Sequence, residues 1–247
     1  MIRHIEELAL NAWPALQTVV YDGWIMRFAN GFTRRANSVN PLYPSTLEPQ
    51  EKIRYCGEIY SAKGQDTVFK LTSAVFPGDL DSILAERGYV IDAPTNVQQL
   101  NLEHFVPARS EKVKVATSLD DPWLDDFCRL SSRASSYKPL IGQLLKNIAS
   151  PMCFVCLKDQ QETVALGMGV LERDYIGLYD IVTAESHRNQ GLGTLLVKAL
   201  LNWGQANGAT SAYLQVMANN APALRLYEKM GFQENYRYWY RMKQRGQ

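Results

Sequence analysis

The sequence carries almost no excess charge: 26 Lys and Arg face 25 Asp and Glu over 247 residues, leaving a formal net charge of +1. No global field gathers nucleic acid or an anionic membrane, so neither is expected as a partner and recognition must rest on local groups. Long apolar runs are missing too. The opening MIRHIEELALNAWPALQ is broken by charges and Pro14, and no later stretch reaches membrane-spanning length, so no secretory leader or membrane anchor is expected and the expected location is the cytoplasm. Cysteine is scarce. Cys153-Phe154-Val155-Cys156 has CxxC spacing, but it lies in an apolar run where strand alternation points the two thiols to opposite faces, and neither Cys56 nor Cys128 supplies a second pair. All four read as reduced core thiols, and no metal is expected.

What is present suits a globular α/β protein. Hydrophobic residues make up 46% of the chain, enough for one large or two modest domains. In the second half, VKVA (113–116) reads as a strand, Asp120 to Ser131 and Pro139 to Ile148 as helices, and MCFVCLKD and ETVALGMGVLE as strands joined at Gln160-Gln161. A third strand, YIGLYDIVTA, follows Asp174. After it, Leu192, Leu195, Leu196, Ala199, Leu200 and Trp203 mark one helical face, stopped by Asn207-Gly208. Then come a strand SAYLQVM, a helix from Asn220 to Met230 ended by Gly231, and an aromatic strand FQENYRYWYRM.

The first half repeats the end of this pattern. Lys63-Gly64 and QDTVFKLT precede Asn207-Gly208 and ATSAYLQV by 144 residues, counted from Lys63 to Asn207, and LAERGYVIDAP precedes YEKMGFQENYR by 143, counted from Gly88 to Gly231. Offsets this close point to duplication. The boundary is expected near Val106-Pro107, in a polar stretch containing PARSEK, giving domains 1–106 and 107–247.

The chemistry concentrates in His187-Arg188-Asn189-Gln190-Gly191-Leu192-Gly193-Thr194. A helix start leaves its first amides unpaired and partially positive, and glycine lets an anion reach that backbone. A dinucleotide fingerprint would need a third glycine where Leu196 stands, and a P-loop would need Lys-Ser/Thr where Thr194-Leu195 stands, so both are excluded. Arg188-Asn189-Gln190-Gly191-Leu192-Gly193 resembles the Arg/Gln-x-x-Gly-x-Gly/Ala signature of the GNAT superfamily of acetyl-CoA-dependent N-acetyltransferases. A second block, Asn220-x-x-Ala223-x-x-Leu226-Tyr227-x-x-x-Gly231-Phe232, matches the same family, and the likeness covers roughly residues 113–243.

The resemblance implies two tandem GNAT-like domains, each a mixed, mostly antiparallel sheet flanked by helices. It implies that acetyl-CoA is the co-substrate, its pyrophosphate resting on the amides of Gln190, Gly191, Leu192, Gly193 and Thr194, with Arg188 and Asn189 shaping the turn. Backbone groups of Ile181, Val182 and Thr183 would pair with the pantetheine arm where two central strands splay, and would polarise the thioester. Asn220 would bond the coenzyme arm or serve as a helix cap, or both. Tyr227 corresponds to the tyrosine that protonates the departing thiolate; the alternative is packing on the sheet.

An amine acceptor must lose a proton, and Asp180, an acid inside LYDIV, is the candidate base by position, with a structural hydrogen-bonding role as its alternative. Glu185 follows the strand and faces solvent in this reading, and His187 packs or touches phosphate rather than acting as base. At the 144-residue offset the first half has Pro44-Ser45-Thr46-Leu47-Glu48-Pro49 in place of the glycine turn and Leu84 in place of Tyr227. It therefore resembles a degenerate copy without the coenzyme site, in which Trp24, Arg34 and Arg35 either form an amphipathic strand pair with a basic loop or shape an acceptor pocket. The function this implies is acetyl transfer to a primary amine of a small molecule by direct attack in a ternary complex. Two alternatives stay open, a peptide or protein acceptor and a non-catalytic acyl-CoA-binding regulator. The sequence leaves the oligomeric state open.

Overall fold

The computed structural model describes residues 1–107 and 110–244; Ala108 and Arg109 of the expected linker lie outside the described residues. Packing divides the chain into two compact units, the first comprising Met1–Asn96, Met217–Asn219 and Tyr236–Gln247, the second Val97–Val216 and Asn220–Asn235.

The elements of the first half are α1 (Ile2–Ala12), β1 (Gln17–Tyr21), β2 (Trp24–Phe28), β3 (Val39–Pro41), α2 (Pro49–Ala62), β4 (Thr67–Thr72), α3 (Leu80–Glu86) and β5 (Val90–Asn101). Those of the second are β6 (Val113–Ala116), α4 (Asp121–Leu130), α5 (Lys138–Lys146), β7 (Met152–Asp159), β8 (Glu162–Glu172), β9 (Tyr175–Thr183), α6 (Leu192–Ala206), β10 (Ser211–Met217), α7 (Ala221–Lys229) and β11 (Gln233–Lys243). The repeat found in the sequence is a repeat of elements: α2, β4, α3 and β5 succeed one another as α6, β10, α7 and β11 do.

In the first unit the strand order is β1-β2-β3-β4-β11. β1/β2, β2/β3 and β4/β11 are antiparallel and β3/β4 parallel. Alternation puts Trp24, Met26, Phe28, Val39, Phe69 and Leu71 into one core with Ile53, Cys56 and Tyr60 of α2 and Leu80 and Leu84 of α3. The part of β11 that pairs with β4, Tyr238 to Lys243, lies in this unit, where Trp239 and Arg241 both donate to the Asp81 carboxylate at 2.6–2.9 Å.

In the second unit the order is β10-β9-β8-β7-β6. Strands β6 to β9 are antiparallel and β9/β10 parallel. Helix α6 is apolar around most of its girth. Leu196, Val197, Ala199, Leu200 and Leu201 are buried in the core with Val155, Leu157, Ala165, Ile176, Leu178, Ala212 and Leu214, while Leu192, Leu195 and Trp203 flank it, as the spacing predicts. Asp120 caps α4 by accepting from the Trp123 amide at 2.8 Å. Cys153 is fully buried on β7 and Cys156 half-buried; all four cysteines are free. Among the described residues no helix is long and apolar enough to cross a membrane, and no three His, Cys, Asp or Glu are grouped to hold a metal ion.

Candidate functional site

The site is built where two central strands of the second unit part. The parallel ladder between β10 and β9 runs from Ser211↔Tyr175 to Leu214↔Leu178, and no further rung follows among the described residues, although β9 continues to Thr183 and β10 to Met217. On its other edge β9 carries a bulge. Leu166↔Val182 and Met168↔Tyr179 are paired, so that Gly167 faces both Asp180 and Ile181, and Asp180 takes φ +51°. An extra residue in the left-handed region bends the strand and strengthens its twist, so that Ile181, Val182 and Thr183, all half-buried, lie beyond the β10 ladder while Val182 and Thr183 stay paired to β8. Gly167 lets this happen: a Cβ there would stand 3.2 Å from Ile181 Cγ1 and 3.4 Å from its Cα.

Beyond β9 the chain turns through Asn189 (φ +61°) into Gly191 (φ +78°, ψ 0°), the residue that opens α6. Nothing lies within 4 Å of where a Gly191 Cβ would be, so space is open over this turn and glycine is required by the backbone angle, not by crowding. Gly193 differs. Its Cβ would stand 2.9 Å from Leu226 Cδ1, so the second glycine of the motif leaves room for the Leu226 side chain of α7 against the first turn of α6. That turn, Leu192-Gly193-Thr194-Leu195, contains no acid, and its leading amides point outward without intrahelical partners. Arg188 is solvent-facing and bonds Glu185 at 3.1 Å. His187 lies between Asp159 (3.4 Å) and the Ser186 hydroxyl (2.9 Å).

Asn220 caps α7, its Oδ1 accepting from the Ala223 amide at 3.3 Å. Tyr227, near the end of that helix, is buried against Phe232. Burial pushes its phenol up to about 12, so it holds its proton throughout the neutral range.

These features, a parted pair of strands, a bulged acid, an open glycine turn at a helix start and a buried tyrosine one helix on, stand together in a single unit. A family model described as "Probable histone acetyltransferase Rv0428c C-terminal" matches residues 1–241. The chain belongs to this family of GNAT N-acetyltransferases. The acetyltransferase is 32% identical over 254 residues to the uncharacterized N-acetyltransferase YobR of Bacillus subtilis, covering 98% of each. Its fold resembles a GCN5-related N-acetyltransferase from Kribbella flavida (TM-score 0.72, 17% identity, 99% of this chain and 96% of that one). It also resembles a tandem GNAT protein from the clavulanic acid biosynthesis pathway (TM-score 0.62, 12% identity, 98% and 88%). At these identities the two structures speak for the fold alone.

Within the first unit of the acetyltransferase, the start of α2 presents a different picture. The Asp22 carboxylate accepts from the amides of Thr46 (3.0 Å) and Leu47 (2.9 Å) and from the Thr46 hydroxyl (2.9 Å), and pairs with Lys52 at 3.1 Å. Lys52 is fully buried, its ammonium 4.1 Å from the Trp24 ring centroid. Trp24 itself is fully buried, which leaves it no surface with which to shape a pocket. Arg34 pairs with Asp92, and Arg35 lies over Trp13.

Four residues at or beside the parting strands were not singled out in the sequence: Gly167, Gly177, Tyr179 and Tyr213. The available signal was glycine inside strand patterns, ETVALGMGVLE and YIGLYD, which marks bulges and close approaches.

Proposed function

We propose that the second half of the chain, expected as domain 107–247, transfers the acetyl group of acetyl-CoA to a primary amine of a small molecule by direct attack in a ternary complex. The observation that carries this is the ladder that stops at Leu178↔Leu214 on the strand that leads into the open, glycine-led start of α6. Outward amides of Gln190 to Thr194 suit a pyrophosphate, and the β10-facing side of the backbone from Ile181 to Thr183, past the last rung of that ladder, suits the amides of a pantetheine arm and the thioester oxygen. Arg188 and Asn189 shape the turn, and Asn220 fixes the start of α7 beside it.

The chemistry balances without a covalent enzyme intermediate. Asp180 accepts a proton from the incoming ammonium and the freed amine attacks the thioester carbon; the C–S bond breaks as Tyr227 gives its proton to the sulfur, and the second proton, shed by the nitrogen as it becomes an amide, restores the Tyr227 phenol. A phenol held protonated by burial is in the correct state to donate.

The first half is, in this reading, a degenerate copy that binds no coenzyme. By the 144-residue offset Thr46 and Leu47 correspond to Gln190 and Gly191, and their amides are already held by Asp22. An internal carboxylate fills the place of the pyrophosphate. A second reading, a peptide or protein acceptor, is favoured by the family description, which names a histone acetyltransferase. The two are separated by a thiol-release assay with a panel of small amines and of peptides. The proposal expects acceptor-dependent release with small amines and an N-acetylated product; release with peptides alone replaces it with the second reading, and release with neither refutes both.

A further inference from the structure

A parallel strand pair that stops short leaves two tails whose backbone groups favour zipping shut, so something must fix where the fork begins. Directly at the last rung, the hydroxyls of Tyr179 and Tyr213 meet at 2.7 Å, both side chains buried, with the rings edge-on at 86°. Tyr179 follows Leu178 on β9 and Tyr213 precedes Leu214 on β10. Their hydroxyl bond therefore spans the two strands at the fork itself. Gly177 makes the room: a Cβ there would stand 2.6 Å from the Tyr213 hydroxyl and 2.7 Å from Tyr179 Cε2, so any other residue would force the pair apart. The bond between the two buried hydroxyls holds the strands at a fixed distance at this point, whereas two phenylalanines would fill the same volume without that bond.

We propose that Tyr179 and Tyr213 are positioning residues that pin the fork between β9 and β10 and so set the width of the gap that takes the acetyl-pantetheine arm. They act through the backbone of Tyr179 to Thr183 and touch neither the pyrophosphate turn nor the reacting atoms. The bulge at Asp180 begins one residue beyond the pin, so the pin also holds the candidate base in register with the gap. This rests on the coenzyme reading above.

The test compares two ligands by calorimetric titration of the full chain: acetyl-CoA, and 3′-phospho-ADP, the nucleotide half that carries the pyrophosphate but no pantetheine. Variants are Tyr179→Phe, Tyr213→Phe and the double substitution, which also removes the danger of one hydroxyl stranded in the core. Losing a buried neutral hydrogen bond should weaken acetyl-CoA binding by about two- to tenfold and leave 3′-phospho-ADP binding unchanged. Because the hydroxyls act as one unit, the double variant should lose no more than the worse single variant. Unchanged acetyl-CoA affinity in folded variants overturns the proposal, as do equal losses for both ligands or losses that add in the double variant. A wild-type chain that binds neither ligand instead refutes the coenzyme reading on which this rests.

Discussion

Gly191 separates backbone strain from ligand contact, because the chain contains its own control. Gly191 and Gly208 lie just before and just after α6, at φ +78° and φ +97°, and neither has an atom within 4 Å of its would-be Cβ. Alanine at either position meets no neighbour and carries only the cost of the left-handed region, about 1–2 kcal/mol. For a chain of this size, each kcal/mol lowers the melting midpoint by roughly 2–4 °C. The two variants should therefore lose similar stability. Their affinities for acetyl-CoA should diverge. If the space over Gly191 takes the pyrophosphate, a methyl group there disturbs at least one charge-assisted amide contact, a loss of roughly ten- to a hundredfold, and Gly191→Val should lose more. Gly208→Ala should bind as the wild type does. Calorimetric titration beside thermal melts reads both quantities. Equal affinities in folded Gly191→Ala and wild type, or equal losses in Gly191→Ala and Gly208→Ala, would refute the anion-cradle reasoning.

Three further outcomes follow from the same geometry. Tyr227→Phe should lower kcat by up to about 100-fold with acetyl-CoA affinity unchanged; full turnover in the phenylalanine variant would reduce Tyr227 to a packing residue. Titration should find one acetyl-CoA per chain, since Asp22 already holds the amides of the turn that leads into α2, and two equivalent sites would contradict this. Asp22, held down chiefly by the Leu47 amide, and Asp81, held down chiefly by Arg241, both lie below the ordinary carboxylate value. Their stabilisation is complete above the unfolded value of about 4 and is lost as pH falls toward the folded one. The stability gap between wild type and Asp22→Asn, present at pH 6, should therefore close on acidification, and a gap that stays constant argues against the clamp.

The element order of the second half was legible because its signals are local: the period of Leu192 to Trp203, the stops at Asn207-Gly208 and Gly231, and the glycine turn itself. Non-local partners were not. The acid within the aligned window of the first half is Glu48, yet the carboxylate on those amides comes from Asp22, on the turn between β1 and β2. Gly204 looked like any helical glycine, but its Cβ would stand 2.8 Å from Ile176, a contact that only the docking of α6 on β9 creates. The same holds for the end of the chain, whose residues from Tyr238 pair with β4, a partner no period along β11 specifies. The left-handed angle at Asp180 was invisible for another reason: aspartate tolerates it without glycine's signature.

The most direct test of the central claim is a crystal structure of the full chain with acetyl-CoA bound. One molecule is expected, its pyrophosphate on the amides of Gln190 to Thr194 and its thioester in the gap beyond Leu178 and Leu214. Electron density for the coenzyme at the start of α2, or anywhere other than this fork, would contradict it.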